Sequence, residues 1–454
     1  MKEQVRIASG QGFWGDLPQA PAEQITGGPV DYLVLDYLAE VTMSILQKQK
    51  MRDPDKGYAT DFIDMLDELL PELISRGIRV VANAGGVNPH SCKDEVLKLV
   101  RKHGLSGVTV AVVEGDDILD RVDELLERGH GLNHMETGRP LTEVRERLLS
   151  ANVYLGSRPV AEALGKGADI VITGRVIDAA LALGPLIHEF EWDQDDHDLL
   201  AAGIIAGHLI ECGAQVSGGN FTDWQSVGQP AFTGFPLVEV DNDGRIVITK
   251  HPGTGGLVNE LTVKEQLLYE IGDPARYITP DVIVDFTSLQ LRETGDNRVE
   301  VTGARGHPPT DTYKVSASYR DGFRLTTSLI YSAPDAVGKA MRASDILQER
   351  ARALGIEPAD VRTELVGVNA CSEIPFRRSD VAGLAEVQLR VSARDKDRRV
   401  LEQFGRQVPA LLLTGPGGVT GYSGGRPRAS EIVAFWPALL SRQECRPSVS
   451  IFRL

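Results

Sequence analysis

The chain has 454 residues, enough for two or three domains around a large core. It carries 64 acidic against 48 basic residues, a formal net charge of -16. That balance excludes a broad phosphate-binding face for nucleic acid and a pull toward an anionic membrane surface. No run nears the roughly 18 apolar residues of a membrane span. The opening MKEQVRIASG is too short in its apolar part for a signal-peptide core, so a cytoplasmic location is expected. Cys92, Cys212, Cys371 and Cys445 form no CxxC pair. Neither a disulfide framework nor a metal site is expected from them.

From residue 1 to about 225, short apolar runs alternate with helical patterns. The predicted strands are Val5 to Ser9, Asp31 to Asp36, Arg79 to Ala84, Val108 to Val113, Asn152 to Gly156 and Asp169 to Gly174. Continuous apolar runs of this kind suit strands buried on both faces of a parallel sheet. Between them, ATDFIDMLDELLPELISRG and HSCKDEVLKLVRKHG read as helices closed by Gly77 and Gly104, and PVAEALGKG as a third. The predicted fold class is α/β: a parallel βα-repeat domain over residues 1–225, doubly wound or barrel-like. DLLAAGIIAGHLIECGAQVSGG reads as a buried helix and a Gly turn at its end.

Beyond it the period changes to two. PLVEVDNDGRIVITKH is a hairpin pattern around Asn242-Asp243-Gly244, and NRVEVTGARG and YKVSASYRDGFRLTTSLIYSA continue the alternation. A helix over AVGKAMRASDILQERARALG follows, then RTELVGVN, AEVQLRVSARD and a last helix in KDRRVLEQFGRQVPALLLTG. Residues 226–454 are expected to form an α+β domain with a mainly antiparallel sheet. The Gly-rich stretch Pro416 to Ser430 reads as a functional or interface loop, because the apolar EIVAFWPALLS follows it. Such apolar segments make a homo-oligomer the expected state.

In a parallel sheet, ligands bind at the carboxyl ends of strands, so the loops there hold the candidate site residues. Gly10, Gly12 and Trp14 lie in SGQGFWGD, where backbone amides can approach an anion and the aromatic ring can stack. A tight turn is the competing reading. The GxGxxG spacing there lacks a following helix and is a weak sign of nicotinamide binding. Asp36 ends a strand, placed for acid/base work or for capping the next helix. Asn83, Gly85, Gly86 and Asn88 follow another strand and suit recognition of a carboxylate or thioester oxygen. Cys92 is a candidate nucleophile if His90 or a helix N-terminus lowers its pKa, although such a cysteine is more often packed. Glu114 is the candidate carboxylate of VVEGDD. Arg175 is a candidate anion anchor beside Asp178, with a structural Arg175–Asp178 pair as the alternative. Gly218, Gly219 and Asn220 form a polar turn behind the buried helix. The loops at Gly10, Asn83, Glu114, Arg175 and Gly219 are expected to converge on one cleft. HPGTGGLVNE and GARGHPPTD offer further anion contacts or plain loop chemistry.

Together, GQGFWGD, VDYLVLDYLAEVTMSIL, VVANAGGVNP, ADIVITGRVIDAALALGPLIHEF, CGAQVSGGNFTDW and GTGGLVNELTVKEQLLYEIGDPARYITPDVIVDF resemble the acyclic terpene utilisation AtuA family, from the N-terminus to beyond residue 300. The resemblance implies a place in catabolism of acyclic terpenoid-type acids activated as CoA thioesters. An enzyme acting on a small carboxylate or acyl-CoA by lyase, hydratase or hydrolase chemistry is one expectation. A non-catalytic assembly factor or subunit for a partner carboxylase or hydratase is the other. The expected partner is a small anionic substrate, with a CoA thioester as substrate moiety, no further cofactor and no nucleic acid or membrane. Longer members carry a ferredoxin-like tail domain, which is expected here to be absent or a separate small protein, and a pathway enzyme is a candidate partner.

Overall fold

The computed structural model describes residues 2–372, 375–421 and 425–454. Their contacts group the chain into two compact units, one of Met1–Ser318 with Phe435–Leu454, the other of Tyr319–Ala434. The sequence places a boundary near residue 225. The units divide elsewhere, because the predicted hairpin pairs onto the first strand of the chain.

The first unit is built on a ten-stranded mixed sheet. Its strands are β1 (Gln4–Gln11), β2 (Tyr32–Leu35), β3 (Arg79–Ala82), β4 (Thr109–Glu114), β5 (Ile170–Thr173), β6 (Pro236–Asp241), β7 (Ile246–Lys250), β8 (Gln290–Gly295), β9 (Arg298–Thr302) and β10 (Ser448–Arg453). In space they run β8-β9-β7-β6-β1-β2-β3-β5-β4-β10. The five strands from β1 to β4 in that order are mutually parallel. β6 joins β1 antiparallel, the β6–β7 hairpin turns at Gly244, and β10 closes antiparallel onto β4. The molecule is therefore a mixed α/β protein with a partly parallel sheet.

Both faces of the parallel half are covered, which explains its continuous apolar runs. Leu33, Leu35, Val80, Ala82, Val110, Ile170 and Ile172 meet Phe62, Leu66, Leu70, Leu73 and Val96, which come from helices Thr60–Arg76 and Pro89–Lys102. The first of these helices ends on Gly77 in the left-handed conformation, φ 67°, as its sequence predicts. On the opposite face, Val34 and Asp36 meet Leu181 and Ala182 of helix Ala180–Phe190 and Gly207 and Ile210 of helix His197–Ile210.

One predicted strand takes a different place. Asn152 to Gly156 was expected in the parallel sheet, but the strand spans Leu148–Val153 and pairs instead with strand Thr312–Ser332. Ser150 and Ser318 share a hydroxyl hydrogen bond of 2.6 Å, and the Tyr154 amide donates to the Lys314 carbonyl at 2.9 Å. Its polar residues Ser150 and Asn152 suit pairing at a sheet of mixed polarity better than an all-apolar parallel core.

In the second unit the latter part of Thr312–Ser332 pairs antiparallel with Glu386–Asp395, which pairs with Asp360–Val366. Helices Ala336–Ala353 and Arg398–Gly405 supply Ala340, Leu347, Leu401 and Phe404 to a core with Leu325, Leu329, Leu389 and Val391. The last predicted helix is interrupted beyond Gly405 and resumes as Leu411–Thr414. Pro409 lacks the amide needed to continue it. Residues 422–424, in the Gly-rich loop of Pro416 to Ser430, lie outside the described residues. EIVAFWPALLS forms part of strand Ser430–Ser441; within the first unit Trp436 is fully buried and donates its indole N–H to the Leu132 carbonyl at 3.0 Å.

Candidate functional site

Successive side chains on a strand point to opposite faces, and this pleat sorts the predicted residues. Asp36, Asn83 and Arg175 each follow a parallel strand in phase with Val34, Val81 and Val171. They gather on the face covered by helices Ala180–Phe190 and His197–Ile210. Asn83 is fully buried; its Nδ2 donates to Asp36 Oδ1 at 2.6 Å and its Oδ1 accepts the Tyr37 amide at 2.7 Å. The Leu38 amide donates to the same Asp36 oxygen at 3.1 Å.

Arg175, 3% exposed, packs its guanidinium 4.3 Å over the Tyr154 ring. Its Nη1 donates to the Leu38 carbonyl at 3.2 Å and to the Asp178 carboxylate. Its Nε is buried without any partner among the described residues. The Arg175 amide donates to Asp116 Oδ2 at 2.8 Å, and Asn152 Nδ2 donates to the same oxygen at 2.9 Å.

A narrow cavity lies beside Asp36 and Asp178, lined also by Ser9, Gln11 and Glu211. Its free space is about 10 Å³, close to what one water needs. Glu211 accepts from His208 Nδ1 at 2.8 Å, while His208 Nε2 lies 2.9 Å from the Gln266 carbonyl.

Burial dominates the electrostatics. It pushes the Asp36 carboxyl well above the usual carboxylate range, reinforced by Asp178 and opposed by Arg175 and the Asn83 hydrogen bond. Burial likewise raises Asp116 to about 7, against the stabilising hydrogen bonds from Arg175 and Asn152. Glu211 is raised by burial, opposed by His208. His208 is raised because Glu211 outweighs its own desolvation. The face thus holds a buried Asp36, its carboxyl raised, beside an Arg175–Asp178 ion pair. A buried carboxyl raised in this way, close to a cation, suits proton transfer to and from a bound group.

The remaining predicted residues lie around this cluster or away from it. Gly10 sits inside β1, where an added Cβ would meet Leu35 at 2.8 Å and Leu33 at 2.9 Å, so its role is close packing. Gly12 binds the Asp16 carboxylate through its amide at 3.0 Å and touches the Cys212–Gly213 backbone, with space for a Cβ closed off at 2.7 Å. Trp14 packs on the apolar core. Gly85 donates its amide to the Thr173 carbonyl at 3.1 Å, tying the β3 and β5 loops together. Gly86 lies against Leu46 and the Gly57 carbonyl. Asn88 precedes helix Pro89–Lys102 and donates to the Pro54 and Lys56 carbonyls, each at 2.8 Å. Gly218, Gly219 and Asn220 form a turn in which the Gly219 amide reaches the Ala214 carbonyl at 2.9 Å, with Asn220 exposed.

Glu114 is in phase with Val110 and Val112 and so faces the other side of the sheet. There it meets His90 Nε2 at 2.5 Å, half-exposed. Cys92 is fully buried in the apolar core, and burial pushes its thiol far above the ordinary value. A thiol so placed stays protonated and is shielded from any ligand. Arg175 and Asp178 do pair as the alternative reading has it, across a turn rather than along a helix. His208 and Glu211 enter the site without having been singled out. Their signal is legible: two ionisable residues three apart in an otherwise apolar helix. Among the described residues, no group of three His, Cys, Asp or Glu is arranged to hold a metal ion, and no helix is long and apolar enough to cross a membrane.

A family model for the acyclic terpene utilisation family protein AtuA matches residues 5–451. No curated protein and no solved structure shows significant similarity to the chain.

Proposed function

The chain belongs to the acyclic terpene utilisation AtuA family, and from that premise we propose that it acts on a small carboxylate or its CoA thioester at the Asp36–Arg175–Asp178 cluster. Membership associates the protein with acyclic terpene utilisation. The single observation that carries the finer reading is the buried Arg175 Nε, which has no acceptor among the described residues. A buried guanidinium N–H without a partner is costly unless a ligand oxygen supplies one. Asp36, whose carboxyl burial raises, is then placed to donate a proton to the bound group and to take one back. Addition or elimination of water across a carbon–carbon bond, or hydrolysis of the thioester, each needs such a group.

The supporting experiment is a panel of acyl-CoA esters and free branched acids offered to the purified protein, with turnover and binding measured separately. Wild type is expected to convert at least one ester. Asp36→Asn is expected to lower kcat with little change in KM, and Arg175→Lys to raise KM. If no ester binds or reacts, this reading fails.

The narrowness of the cavity, about 10 Å³, favours a second reading, a non-catalytic subunit of a partner carboxylase or hydratase. Co-purification with such a partner, normal pathway flux with Asp36→Asn, and no turnover by the isolated protein would select it.

A further inference from the structure

The antiparallel half of the ten-stranded sheet carries a separate cavity of about 520 Å³, within the range of small-ligand sites. The sheet register builds its floor. Arg6 on β1 stands opposite Glu239 on β6, and Arg298 on β9 stands opposite Thr249 on β7. Arg6 Nη2 lies 2.8 Å from one Glu239 oxygen and Arg298 Nη2 2.5 Å from the other. One buried carboxylate therefore serves two guanidiniums, and a positive charge is left over.

Lys250, at the end of β7, adds a third cation to the same cavity. It is 8% exposed. Its Nζ donates to the Thr254 carbonyl at 2.8 Å and the Thr254 hydroxyl at 3.3 Å, and no carboxylate among the described residues forms an ion pair with it. Burial lowers its pKa with no charged neighbour to offset the effect. The neighbouring His251 is also lowered by burial and by Arg6, against the Gln24 carbonyl 2.9 Å from its Nε2. Asp296, exposed at the rim, is the one other carboxylate of the lining. Three cations face two carboxylates. In the turn after Lys250, the Gly253 and Thr254 amides have no acceptor among the described residues.

A buried ammonium without a counter-charge is costly, and a cavity beside it is the place for the missing anion. We propose that this cavity binds a phosphate or carboxylate group of a small molecule, recognised by Lys250, Arg6 and Arg298. The guanidiniums present further N–H groups to a second oxyanion while keeping Glu239, and Lys250 acts as a point charge. The site shares no residue with the Asp36 cluster, so it stands or falls on its own.

The test uses the full chain, with inorganic phosphate and malonate as separate probes, at ionic strength matched with chloride. Calorimetry and thermal unfolding are read together. One of the probes is expected to bind at a single site and to raise Tm above the chloride control. Tighter binding of phosphate assigns a phosphorylated ligand, and tighter binding of malonate a carboxylate. Lys250→Gln and Arg298→Gln are each expected to weaken that binding about ten-fold or more, as loss of a charge-assisted contact does. Without the probe, Lys250→Gln is expected to be at least as stable as wild type, since it removes an unpaired buried charge. Arg305→Gln, at an exposed pair with Asp198 outside the cavity, is expected to bind as wild type does. Should Lys250→Gln not fold, Arg298→Gln decides alone. Binding of neither probe beyond the chloride control, or unchanged binding in Arg298→Gln, overturns the proposal.

Discussion

Asn83 holds Asp36 and the Tyr37 backbone at once, donating to the carboxylate at 2.6 Å and accepting the amide at 2.7 Å. The two loops it joins end adjacent parallel strands, β2 and β3. Truncation would leave the buried Tyr37 amide without its acceptor and Asp36 with the Leu38 amide as its donor. Asn83→Ala is therefore expected to cost about 1–3 kcal/mol of stability, the cost of one orphaned buried amide. Urea unfolding measures it, and a loss below 1 kcal/mol would show that water replaces the side chain.

Asp116 makes stability depend on pH. Its folded pKa is raised by burial to about 7, against about 3.9 in an unfolded chain. A carboxyl raised on folding binds more protons folded than unfolded between those values. Its stabilising contribution is thus fully present below pH about 4 and lost as pH rises through about 7, by on the order of 4 kcal/mol. Asp116→Asn keeps an oxygen for the Arg175 and Asn152 donors. It is expected to flatten the fall in Tm between pH 4 and 7. A mutant profile parallel to wild type over that window would rule out Asp116 as the source.

Arg175 is bound inward to Asp178 and the Leu38 carbonyl and covered by Tyr154. Arg175→Met should leave Asp178 without its cation and the Leu38 carbonyl without its donor, and is expected to lower Tm. Arg175→Lys keeps the charge but not the planar fork, and is expected to lower both Tm and ligand affinity. Unchanged binding with a lowered Tm would reduce Arg175 to a structural role.

The cysteines differ in exposure, and their chemistry should follow. Cys92 is buried with a raised thiol pKa, whereas Cys371 is exposed. Iodoacetamide on the folded protein is expected to modify Cys371 and spare Cys92, read by peptide mass spectrometry. Rapid modification of Cys92 would reopen it as a nucleophile.

The sequence by itself determined the elements and the edge of the sheet where chemistry gathers. Apolar runs at Tyr32–Leu35, Arg79–Ala82 and Ile170–Thr173 can hide only in a sheet covered on both faces, and Asn242-Asp243-Gly244 can only turn a hairpin. These are local effects of periodicity and turn chemistry. Tertiary structure alone decided which strands are neighbours and which face each strand-end residue serves. It inserted β5 between β3 and β4, sent Leu148–Val153 to another partner, and carried the β6–β7 hairpin onto β1 across the expected domain boundary. It also divided the candidate residues, because one step along a pleated strand reverses the side chain. Asp36, Asn83 and Arg175 meet on one face, while Glu114 finds His90 on the other. Pairing between segments far apart in the chain fixes that register, and short-range sequence patterns carry no record of it.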